Sequence, residues 1–162
     1  MKEGKRILLA LDASAHSRRA LETAVALAAR ERAELIGFFV EDINLFRMAE
    51  LASVRELQFP AAVEARIDRE RLARELRVRA LELCGLLAEA AERAQIAWSF
   101  QIVRGQPARE LATAAAAVDA LLLASRELLA RETAIRQALE ERCCAARLLP
   151  AGLDHRFGHG VA

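Results

Sequence analysis

Arg6-Ile7-Leu8-Leu9-Ala10-Leu11 is an aliphatic run that ends at Asp12-Ala13-Ser14-Ala15-His16-Ser17. It then passes into an alanine-rich stretch with Leu21, Ala24, Val25 and Ala28 spaced by three and four. A near-continuous aliphatic run reads as a strand buried on both faces, and the three-four spacing reads as a helix over about 16–32, which Ser14 or Ser17 can cap. Strand, polar turn and helix in that order open a βαβ unit. The fold is therefore expected to be built on a parallel sheet.

Working outward, residues 35–40, 119–124 and 144–149 are further apolar runs of strand length. Residues 97–103 alternate instead, with Trp98, Phe100 and Ile102 on one side and Ser99 and Gln101 on the other, the pattern of an edge strand. Between them, Leu72, Leu76, Ala80, Leu83, Leu87 and Ala91 mark a long amphipathic helix opening near Asp68. A third helix begins at Pro107, a favoured first helical position, and a fourth spans about 128–143. The alternation predicts an α/β fold: a single domain with an open, five-stranded parallel sheet and helices on both faces. In such sheets ligands bind at the carboxyl ends of strands where the strand order reverses, so Asp12 and Ser125 are expected to face one crevice.

Composition narrows the function. The 162 residues suit one domain over 1–150, with a segment 41–66 inserted after the second strand and a loose tail over 151–162. Apolar residues make up 54% of the chain and aromatic ones only 4%, which implies an aliphatic core with helices packed closely through alanine. Twenty-four basic residues, all arginine except Lys2 and Lys5, face 23 acidic ones, for a net charge of +1. That balance argues against a nucleic-acid partner. The arginine-rich stretch 66–79 carries Asp68, Glu70 and Glu75 among its cations and reads as a solvated helix face. Three cysteines, two of them the adjacent Cys143 and Cys144, make poor disulfide material, and inert thiols are the expectation. His155 and His159 lack a third ligand at matching spacing, so no metal is assigned. With neither a signal-peptide pattern nor an apolar run of membrane length, a soluble cytoplasmic protein is expected.

The motifs Ile7–Ser14, Ala33–Val40, Val103-Arg104-Gly105-Gln106-Pro107-Ala108, Val118–Ser125 and Cys144–Pro150, in that order, resemble the universal stress protein family over about residues 5–150. The resemblance implies a Rossmann-like fold of the adenine nucleotide alpha hydrolase type, with strand order 3-2-1-4-5, and a homodimer formed through the last strand. It also implies that Asp12 lies where the family's aspartate contacts an adenine base and that Val40 lines the same pocket. The ATP-binding branch carries glycine, two residues, glycine, nine residues, glycine and a hydroxyl residue after the fourth strand. Here those positions fall on Ala124, Glu127, Gln137 and Ala138.

Glycines at such a turn let backbone amides approach phosphate oxygens without a Cβ in the way. A carboxylate at Glu127 opposes a phosphate by about 4 kcal/mol at about 4 Å in an effective dielectric near 20, less where water enters. Arg126, Arg131 and Arg136 offer side-chain compensation. The expected site is thus a degenerate nucleotide crevice built from Asp12, Ser14, Val40, Ala124, Ser125 and Arg126, with ATP and AMP disfavoured and no cofactor assigned. The structural alternatives are a helix-capping Asp12 and an exposed Arg126 at a helix start.

No glycine-flanked serine, dinucleotide fingerprint or P-loop is present, and no catalytic residue is assigned. The expected function is a non-enzymatic stress-response regulator acting through a protein partner or small effector. One alternative is an adenine-nucleotide-binding regulator using Asp12 and Arg126. The other is a small-molecule carrier lidded by 41–66, with Phe46 and Met48 as its roof; a local helix packed over the sheet, or a dimer contact, is the commoner fate of such apolar residues.

Overall fold

The computed structural model describes residues 4–13, 17–55, 61–142 and 146–150. Ser14, Cys143, Cys144 and the tail expected over 151–162 lie outside them. Five strands, β1 (Arg6–Leu11), β2 (Glu34–Asp42), β3 (Trp98–Gly105), β4 (Ala120–Leu123) and β5 (Arg147–Pro150), pair in parallel in the order β3-β2-β1-β4-β5. This is the α/β architecture and the strand order expected above.

Alternation along the central strand feeds two cores. Ile7, Leu9 and Leu11 point into one layer, together with Ala20, Leu21, Ala24 and Ala28 of α1 (Ser17–Glu31) and with Ala80, Leu83 and Leu87 of α3 (Ala61–Arg93). Leu8 and Ala10 point into the other, with Leu111, Ala112 and Ala115 of α4 (Pro107–Ala115). Leu128 of α5 (Arg126–Ala130) and Ile135 and Leu139 of α6 (Glu132–Glu141) complete that layer. Alanines on the inward helix stripes bring the helix backbones close to the sheet.

The long helix begins at Ala61, ahead of the expected start near Asp68, and the inserted segment carries a local helix, α2 (Ile43–Arg55). Asp42 opens α2 by accepting the Asn44 N–H on its Oδ1 at 2.9 Å, a side-chain cap at the very end of β2. Phe46 of α2 is buried beneath the Arg104 guanidinium, 4.2 Å from its ring centroid. Arg104 in turn donates to Oε2 of the buried Glu41 at 3.0 Å, joining β2, β3 and α2. The single helix expected over 128–143 is broken into α5 and α6 at Arg131, whose backbone (φ −95°, ψ 7°) leaves the helical region.

Helices α1 and α3 both end with a 6→1 bond, Ala33 N to Ala28 O at 2.9 Å and Ile96 N to Ala91 O at 3.1 Å. The turn residues are Arg32 and Gln95 at φ 53° and 54°, a left-handed conformation that favours glycine. Gln95→Gly is expected to raise stability by about 0.5–1 kcal/mol, since the exposed side chain contributes little and the strain is relieved. Gly37 lies under opposite pressure: a Cβ there would stand 2.6 Å from the Phe100 ring and 2.7 Å from Leu87. Gly37→Ala should therefore lose about 1–3 kcal/mol by overpacking. Urea denaturation of both variants checks the two signs.

Candidate functional site

β1 is the reversal point of the sheet, with β2 added on one side and β4 on the other, so the chain leaves the carboxyl ends of β1 and β4 in opposite directions. A cavity of about 320 Å³ opens there. Asp12 and Ala13 line it from the end of β1, Val40 and Asp42 from the end of β2, and Leu45 from α2. Leu76 of α3, Pro107 at the start of α4, Leu128 of α5 and Arg131 also line it. Among the described residues the lining is mainly aliphatic, and its charged members are Asp12, Asp42 and Arg131.

Both sides of the crevice are tied internally. Ser125, fully buried just beyond β4, donates its hydroxyl to Asp12 Oδ2 at 2.5 Å and accepts the Leu128 N–H at 3.0 Å. It is thus the N-cap of α5 and a clasp between the ends of β1 and β4 at once. Across the cavity, Arg131 donates to Asp42 Oδ2 at 2.8 Å, so the residue that breaks α5 from α6 is held by the residue that caps α2.

The expected site residues divide accordingly. Asp12 and Val40 line the cavity, and Ser125 is bonded to Asp12 but does not line it. Ala124 is fully buried in the core layer of Leu9, Leu11 and Leu122, so its methyl group is on the α1 side of the sheet. Arg126 is the first residue of α5, and Ser14 lies outside the described residues. Gln137 and Ala138, equated above with the last glycine and hydroxyl of a phosphate loop, fall inside α6.

Of the roof residues considered, Phe46 is buried and Met48 is 64% exposed; among the described residues, Leu45 is the α2 side chain that reaches the cavity. Sequence reasoning missed Asp42 as a site residue. An acidic residue closing a strand just before Ile43-Asn44 is a helix-start signal that would have found it. Among the described residues, no group of three His, Cys, Asp or Glu side chains is placed to hold a metal.

A sequence profile of the universal stress protein family matches residues 4–142. Among solved structures, one of a protein from that family in Burkholderia pseudomallei aligns with 93% of this chain and 98% of its own, at 19% identity and a TM-score of 0.58. A universal stress protein family protein from Arabidopsis thaliana with AMP bound aligns over 93% and 94%, at 14% identity and a TM-score of 0.56. A universal stress protein in complex with cAMP aligns over 91% and 95%, at 18% identity and a TM-score of 0.50. These likenesses establish a shared fold. No curated protein sequence matches the chain significantly.

Ser125→Ala would remove the α5 cap and the donor to Asp12 together. It is expected to lower stability by about 0.5–2 kcal/mol, measured by chemical denaturation against the wild-type chain.

Proposed function

The chain belongs to the universal stress protein family, and from that premise we propose that it is a non-enzymatic regulator whose crevice does not take nucleoside triphosphates. It acts through a protein partner or a small effector of low charge. The observation that carries this reading is the double commitment of the Ser125 hydroxyl. It satisfies the Leu128 amide at the start of α5 and bonds Asp12, so the amide a phosphate would otherwise meet is already partnered by the protein itself.

Three further facts support the reading. Arg131, the cavity-lining arginine, is held by Asp42. Among the described residues the cavity's charged lining carries one more carboxylate than guanidinium, which opposes a polyanion. A volume of about 320 Å³ is at the small end for ligand sites. The buried Ser125, with its hydroxyl used twice, is not presented as a nucleophile, which supports the absence of catalysis. Among the described residues no helix is long and apolar enough to cross a membrane, which fits the proposed cytoplasmic location. β5 closes one end of the sheet, and its outer edge is the proposed seat of a last-strand homodimer.

A second reading has one observation in its favour: relatives of the same fold carry AMP or cAMP. In it, Asp12 meets the base and Arg131 exchanges Asp42 for a single phosphate. Titration calorimetry with Mg-ATP, AMP and adenosine separates the two. The proposal predicts no saturable ATP binding up to about 1 mM, a binding free energy weaker than about −4 kcal/mol. One ATP bound per chain at micromolar concentration would overturn it. Saturable AMP binding that is lost in Arg131→Ala would establish the second reading.

A further inference from the structure

On its inner side α3 buries Ala80, Leu83 and Leu87 in the core. A helix turns about 100° per residue, so Arg74, Val78, Leu81, Gly85, Ala88 and Glu92 make a stripe centred opposite Leu83. Val78 and Leu81 on that stripe are 55% and 59% exposed, whereas the other described leucines of α3 are buried or half-buried.

Gly85 is the second observation. Glycine weakens a helix interior relative to alanine, yet a Cβ at this exposed position would meet nothing within 4 Å. Its backbone φ is not positive either. Among the described residues, nothing in the chain asks for a glycine there. A second backbone approaching from outside would.

Charge is the third. Along this part of α3, Arg71 pairs with Glu75, Arg79 with Glu82, Arg93 with Glu89, and Arg77 with Glu41. Arg74 and Glu92 make no ion pair among the described residues, and they stand at the two ends of the apolar stretch.

We propose that a second copy of this chain packs on the stripe, α3 against α3 and antiparallel, about a two-fold axis level with Leu83. That arrangement places Val78 and Leu81 of one copy over the small residues Gly85 and Ala88 of the other. It also sets Arg74 opposite Glu92 at both ends. A parallel pairing would set Arg74 against Arg74 and Glu92 against Glu92, so the charges select the antiparallel register. The interface is isologous and by itself joins two chains; with the β5 edge also paired, the assembly grows beyond a dimer. The α3 interface is separate from the β5 edge, which is at the far end of the sheet from the strands β2 and β3 that α3 covers.

Sedimentation velocity of the full chain over a concentration series tests this. Leu81→Glu is expected to weaken self-association by at least about tenfold. Arg74→Glu alone and Glu92→Arg alone should each weaken it, and a one-to-one mixture of the R74E and E92R chains should regain it, because both ends then oppose unlike charges. All three positions are exposed, and circular dichroism checks that each variant keeps its fold. The proposal is overturned if the wild-type chain is monomeric throughout. It is equally overturned if L81E associates as tightly as wild type, which assigns the assembly to another surface such as β5, or if the mixture associates no more tightly than either variant alone.

Discussion

Everything in this molecule depends on burying β1 from both sides. Five of its six residues are buried, and because successive side chains point to opposite faces, the strand demands an apolar layer above and another below. Ile7, Leu9 and Leu11 are answered by α1 and α3, and Leu8 and Ala10 by α4 and α6. With β2 on one side and β4 on the other, no edge of β1 reaches solvent. Its carboxyl end then has to open between two crossovers leaving in opposite directions, which is why the cavity is where it is.

Much of this was legible in the sequence because it is local or periodic. Continuous aliphatic runs gave β1 and β2, the alternating run gave β3, and three-four spacing gave α1, α4 and the body of α3. The failures have physical causes. The front of α3 and the whole of α2 mix apolar and charged residues without a clean stripe, so the sequence offered a local helix in the insert without its bounds and opened the long helix late. The break falls at Arg131, which also makes a tertiary ion pair with Asp42, and no Gly or Pro marks it in the sequence.

The site was legible in part. Asp12 follows from its place at the end of β1 and Val40 from the family resemblance, whereas Ala124 continues the β4 alternation with Ala120 and Leu122 into the core. The pairing of Ser125 with Asp12 joins residues far apart in sequence and depends on the strand order. The arginine content is informative in a similar way. Several arginines, among them Arg71, Arg79, Arg93 and Arg136, are matched to carboxylates three or four residues away at partly exposed positions, where such pairs add little stability but absorb charge. An arginine-rich chain is thus no guide to an anion site until the partners are counted.

The aliphatic character of the core has a spectroscopic consequence. The chain has no tyrosine, and its one tryptophan, Trp98, opens the edge strand β3 opposite Leu35, half-buried and away from the cavity lining. Intrinsic fluorescence is therefore a local reporter of one end of the sheet: fraying of β3 changes it directly, while an event confined to the crevice leaves the indole in the same surroundings.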